Sequence, residues 1–175
     1  DASERGGMSV RERRSLIVDS TLHADPMISA WLWALHDARR RTNLVLADIP
    51  AEAIDWLPPQ SQQSIGTILY HMALIEADWL YTEVLEQAYP AHIVALFPDD
   101  ARDEAGLLTH IQGVGLSEHR RRLDTVRNEI LQVYQAMDAQ DFSRVRRLAD
   151  YDVTPAWVLH HLMQHEAEHR SEIVA

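Results

Sequence analysis

The sequence contains no cysteine. That one absence removes disulfides, thiolate metal ligands and a cysteine nucleophile together, so a site for a transition metal has to be built from histidine and carboxylate. It also fits a reducing compartment. Glycine and phenylalanine are scarce, six and two in 175 residues, while tryptophan and tyrosine number five each. This composition leans towards helices over a sandwich of strands. No apolar run approaches the ~20 residues of a membrane span, and Asp1 to Val10 lacks the basic-then-apolar layout of a signal peptide. The expectation is a soluble, cytoplasmic protein with no membrane partner. Basic residues are outnumbered, 16 Lys and Arg against 27 Asp and Glu, for a net charge of -11. A phosphate backbone would be repelled overall, so no nucleic-acid partner is expected.

At this length one domain can bury an apolar core without staples. Residues 1–10 read as a flexible leader, polar and Gly-rich before Met8, and 11–175 as a single helical domain. The first helical pattern runs from about Pro26 to Asp48, with Met27, Trp31, Leu35, Ala38 and Leu46 at helical spacing and Pro26 at the first helical position. A connector with Pro50, Pro58 and Pro59 follows. Ser64 then caps a second helix reaching about Gln87, with an inward stripe of Ile65, Ile68, Met72, Ile75 and Trp79. Between Tyr89 and Gly115 prolines and glycines break any long element, which predicts a long, partly helical crossover. Ser117 caps the third helix, which carries Leu123, Val126, Ile130, Val133, Tyr134 and Met137, with Arg120, Arg121 and Arg122 as a solvated face. After the polar stretch Asp138 to Asp152, Thr154 and Pro155 start a fourth helix that runs to the end. The fold expected is an all-α four-helix bundle with a long crossover between helices two and three, and nothing reads as a sheet.

Chemistry concentrates in histidines. The last helix holds His161, His165 and His169 four residues apart, and His71 lies beside the apolar stripe of the second helix. Imidazoles at i and i+4 share a helical face, about 6 Å apart at Cβ, from which two can reach one ion. A third ligand has to come from another helix, and His71 is the best donor, because metal sites in bundles are built from inward side chains on facing helices. His161 shares the face and could replace one of the pair. Three histidines leave a coordination position open for water or substrate, and neutral imidazole suits zinc, nickel, copper and iron alike. His23, His36, His92, His110 and His119 have no such context. Trp79, Tyr70, Tyr81 and Trp157 read first as core residues and second as pocket lining.

The string from His165 to His169 also matches H-E-x-x-H, in which the glutamate of a zinc protease serves as base. The extended form of that signature places glycine at Glu172 and a third histidine at Ala175, and both fail. Glu166 points about 100° away from His165 around the helix.

Two segments, SIGTILYHMALIEADWL from Ser64 to Leu80 and VLHHLMQHEAEHRSEI from Val158 to Ile173, resemble the DinB-like (DinB/YfiT-like) superfamily of metal-dependent bacterial proteins. The likeness lies in the histidine inside an apolar second helix, Glu76 and Trp79 after it, and the terminal H-x-x-x-H-R. Where the family often continues Gly-Gln, this chain has Ser171 and Glu172. The resemblance implies His71, His165 and His169 as ligands of one divalent metal (zinc, nickel, manganese or iron), Arg170 as the usual following arginine, and often a homodimer. It further implies a small-molecule substrate and a transferase reaction using a low-molecular-weight thiol such as bacillithiol or mycothiol. The lack of cysteine is coherent with that, since the attacking sulfur would have to arrive on a cofactor. A metal-dependent hydrolase using bound water, and a non-catalytic metal-binding stress-response bundle, are the alternatives. Glu76, Glu166, Glu168 and Glu172 are the carboxylates near enough in sequence to orient the imidazoles.

Overall fold

The computed structural model describes residues 15–61 and 63–175; the leader expected over 1–10 lies outside the described residues. The first helix, α1, spans Pro26–Ala47, and the Asp25 carboxylate accepts hydrogen bonds from the N–H groups of Met27 and Ile28. Its buried stripe is Ile28, Leu32, Leu35, Arg39, Thr42 and Leu46. The expected stripe fails at its start: Met27 is exposed and Ile28, about 100° further round, takes the inward place. Helix α2, Ile65–Asp78, begins at Ser64, whose hydroxyl accepts from Thr67 N–H. Eleven of its fourteen residues are buried, which makes it the central helix of the bundle.

The sequence pattern predicts one continuous α-helix to about Gln87. The chain instead switches after Asp78 to a π-helical segment, Trp79–Val84, and ends with Glu86 in the left-handed region at φ 54°. The crossover follows, with one short helix, α3 at Ala91–Val94. Helix α4, Leu116–Ala136, starts ahead of the expected Ser117 cap, because the Gly115 carbonyl already accepts from Glu118 and His119 N–H. The three arginines of its first turns do not share a solvated face, since successive residues diverge by about 100°. Arg121 pairs with Glu118 at the surface, Arg120 donates to the Leu46 carbonyl, and Arg122 is buried, donating to the Leu96 carbonyl at 2.8 Å with its guanidinium over the Tyr70 ring.

A short helix α5, Ala139–Ser143, precedes a two-stranded antiparallel ribbon. Strand β1, Arg146–Arg147, pairs with β2, Asp152–Val153, in the register Arg146↔Val153. The expectation of no sheet is thus corrected; two residues per strand are too few to show an alternating pattern. Arg146, within the segment read only as polar, is buried and donates to the Asp141 carboxylate and the Arg144 carbonyl. Helix α6, Pro155–Val174, starts as expected from a Thr154 hydroxyl cap. Helices α1, α2, α4 and α6 form the all-α bundle, α1 packed chiefly on α6 and α2 on α4. Leu32, Leu80, Val126, Ile130, Leu159 and Leu162 lie in the main core.

All four long helices also meet in a buried ionic quartet. Arg39 of α1 donates through Nε to Glu166 of α6 at 2.8 Å and through Nη2 to Glu76 of α2 at 2.7 Å. Arg127 of α4 reaches the same two carboxylates, Glu166 at 2.6 Å and Glu76 more closely. The remaining guanidinium Nη1 atoms donate to the Leu123 and Leu35 carbonyls. Two positive and two negative charges balance, and the geometry fixes the rotation of each helix against the others.

His119 of α4 is fully buried against Gly66 of α2, where a Cβ would lie 3.1 Å from its Nε2. Neither ring nitrogen has a hydrogen-bond partner among the described residues. Burial, reinforced by Arg122, holds its pKa down at about 4. A histidine depressed in the fold but ordinary when unfolded adds nothing to the pH dependence above about 6.5 and costs stability as pH falls from there to about 4. Unfolding free energies from denaturant titrations across that window should fall in the native chain by on the order of 2 kcal/mol more than in a His119→Met variant. Parallel curves would show that His119 protonates freely in the fold.

Candidate metal centre

His71 sits two turns into α2 and is 6 % exposed. His165 and His169 lie one turn apart on the face of α6 turned towards α2. The three rings converge through one kind of atom: His165 Nε2 is 3.2 Å from His71 Nε2 and 3.1 Å from His169 Nε2. Four-coordinate zinc with ~2.0–2.1 Å bonds would set its ligand nitrogens about 3.3 Å apart, so the spacing fits three ligands of one ion. The three form a group able to hold a metal ion.

Electrostatics favour the same arrangement. Burial, with His169 and Arg102 nearby, lowers the His71 pKa to about 4. Burial, with His169, His71 and His161 nearby, lowers that of His165 to about 3. Both rings are therefore neutral at pH 7, and neutral imidazole is the ligand form. Three Nε2 lone pairs aimed at one point repel unless a proton bridges one pair or a cation satisfies all three. The other side of the His169 ring supports the second arrangement: Nδ1 lies 2.7 Å from Glu172 Oε2, a contact that fixes the tautomer with Nε2 free to ligate. His71 Nδ1 is buried without a partner.

Of the four carboxylates considered as orienting groups, Glu172 touches an imidazole. Glu168 accepts from Gln164 on the outer face. Glu76 and Glu166 are committed to the quartet, directly behind the ligand-bearing faces. Although burial alone would raise the Glu166 pKa, Arg39 and Arg127 hold it well below the usual range. A 1 % exposed carboxylate clasped by two arginines has no access to a substrate proton, which removes the protease-like role for Glu166. Arg170 donates to the Ala38 carbonyl and ties the end of α6 to α1.

His161 does not join the triad. It stacks on Trp157 at 5.1 Å and 6° between planes, with Trp79 4.7 Å away on another side. The five histidines without context in the sequence lie elsewhere: His23 on the Met137 carbonyl, His92 on Glu129, His110 on Thr67, His119 in the core and His36 in a separate surface cleft. Tyr70 and Tyr81 are buried and donate to the Asp99 carbonyl and Glu129, as core residues. Trp79 and Trp157 instead line open clefts.

The triad floors a cleft of about 340 Å³ whose walls include Ile75, Trp79, His161 and Arg102. Among the described residues, no carboxylate lines it. Arg102, from the crossover, was not legible as a site residue: it lies 31 positions after His71 in a stretch with no periodicity. Nor were Arg39 and Arg127, since an arginine on an amphipathic helix ordinarily points to water.

No helix among the described residues is long and apolar enough to cross a membrane. No curated protein matches the chain. Residues 34–173 match the family model of the DinB superfamily. That match covers most of the chain, including α2, the crossover, α4 and α6 with all three converging histidines, and the chain belongs to the DinB superfamily.

Proposed function

We propose that this protein binds one divalent metal ion through His71, His165 and His169 and acts as a transferase towards a small electrophile, with a low-molecular-weight thiol as co-substrate. The observation that carries the proposal is the convergence of the Nε2 atoms of His71, His165 and His169 at 3.1 and 3.2 Å. The bound ion would lower the pKa of a thiol arriving beside it and favour the thiolate. The chain's own contribution is placement and field. The quartet sets the rotation of α2 and α6, Glu172 aims His169, and Arg102 adds positive charge at the cleft where an anion develops. The absence of cysteine requires the sulfur to come from outside.

Thiol transfer is favoured over hydrolysis by one feature: among the described residues no carboxylate lines the cleft to take a proton from water. The metal could be zinc, nickel, manganese or iron, all compatible with imidazole ligands. A homodimer and a cytoplasmic setting, as the family likeness and sequence suggest, complete this reading.

The test is elemental analysis of untagged protein purified without added metal, followed by zinc titration and assay of electrophile consumption with and without L-cysteine as the thiol. The expected result is close to one equivalent of metal and turnover only with thiol. Turnover without thiol would replace the transferase by a hydrolase. Metal uptake with no turnover of any electrophile would leave a binding protein, and no uptake on titration would remove the metal site itself.

A further inference from the structure

Beside the triad lies a second cleft that the proposed chemistry leaves unused. It measures about 570 Å³ and is walled by Trp79, Trp157, Tyr151, Val145 and Val153. That volume is in the range of small-molecule sites, which hold about 300–1,000 Å³. Trp157, Tyr151 and Val145 are each about half exposed, unusual for three large apolar side chains facing one hollow. The Tyr151 ring is not loose: its hydroxyl donates to Glu83 at 2.7 Å, and Glu83 is buried in the π-helical segment.

The two clefts share a wall. Trp79 lines both. His161 fills the corner, parallel to Trp157 on one side and 5.8 Å from the His165 ring on the other. A flat group lying on Trp157 and Trp79 therefore has its end directed past His161 towards the triad. Among the described residues Asp152 is the one charged residue that lines the groove, so an anionic occupant is disfavoured there, whereas positive Arg102 stands in the triad cleft. The centre is two-sided: aromatic and faintly acidic on one flank, cationic at the metal.

We propose that the groove formed by Trp79, Tyr151 and Trp157 binds an uncharged aryl group of the electrophilic substrate and presents its reactive end to the metal-bound thiol, leaving the Arg102 side for anionic groups. This rests on the proposed metal-dependent transferase. Aromatic faces favour offset or edge contacts with another ring over a saturated group of equal size.

The experiment uses the full chain, titrated with 2-naphthylmethanol, its saturated counterpart decahydro-2-naphthylmethanol and 2-naphthoate, and read by the indole N–H resonances of its five tryptophans. Zinc stoichiometry is measured on the same samples. The naphthyl alcohol is expected to shift the Trp79 and Trp157 signals saturably and to leave exposed Trp56 unmoved. Decahydro-2-naphthylmethanol and 2-naphthoate should bind at least fivefold more weakly. Trp157→Ala should weaken the alcohol tenfold or more, and Val145→Asp, a surface change that leaves the core intact, should do so as well, both with zinc uptake unchanged. Equal shifts at Trp56, equal affinity for the saturated alcohol, or no effect of either variant would overturn the inference. So would loss of self-association in Trp157→Ala, which would make the face an interface between copies. Zinc bound without naphthyl binding fails the groove alone, and naphthyl binding without zinc fails the metal reading alone.

Discussion

An Arg127→Met variant is expected to lose about 3–5 kcal/mol of stability, seen as a large drop in the urea midpoint with little change in slope. Arg127 is one of two cations in a site where every member is at most 7 % exposed. Removing it leaves Glu76 and Glu166 facing a single arginine and strips the Leu35 carbonyl of its donor. An uncompensated buried carboxylate is far costlier than the pair was beneficial. The companion variant Arg127→Met with Glu166→Leu restores neutrality and should recover part of the loss. A single-variant loss under about 1 kcal/mol, the scale of a surface pair, would mean that water reaches the quartet. Acid should act on the same device. The Glu166 pKa lies below its ordinary value of 4.5 in the fold, so its contribution is complete above that pH and is lost as pH falls through the depressed value.

His165→Ala is expected to weaken metal binding by well over the ~10–100-fold that loss of an outer hydrogen-bonding partner costs. His165 is the middle histidine of the triad, with its Nε2 close to both of the others, so its removal leaves two imidazoles on different helices with no third donor between them. Competition against a chromophoric chelator gives the affinities. Glu172→Gln, which keeps a hydrogen-bond acceptor but removes the charge at His169 Nδ1, should fall about tenfold. His161→Ala should leave affinity near the native value, because that ring is stacked on Trp157 away from the triad. A larger loss in His161→Ala than in His165→Ala would exchange their roles.

Much of this arrangement is readable in the chain. Proline and serine or threonine caps mark where α2 and α6 begin, because a cap is a local event between neighbouring residues. The converging histidines are readable for a similar reason: i, i+4 spacing is local, and an imidazole beside an apolar stripe stands out. What escaped the sequence is what depends on distant partners. Arg39 and Glu166 are 127 positions apart, and nothing local distinguishes a buried arginine from a solvated one. Arg122 illustrates it directly, reading as one of three surface charges and lying beneath Tyr70. The π-helical turn was invisible because a single extra residue per turn barely alters apolar periodicity over six positions. Trp157 read as core and proved half exposed, because the inward positions of this first turn of α6 are taken by Val158 and Leu159.

That π-helical turn separates two tasks along one continuous helix. Residues before it, His71 and Glu76, are keyed to the triad and the quartet; residues within it, Trp79 and Glu83, are keyed to Tyr151 and the aromatic groove. The change of helical pitch after Asp78 acts as a rotational joint between these halves, so the angular position of one is not dictated by the other. Insertions, deletions and substitutions on the groove side can therefore accumulate without rotating His71 out of reach of α6. A lineage could change what such a protein recognises while keeping intact the place where the reaction would occur.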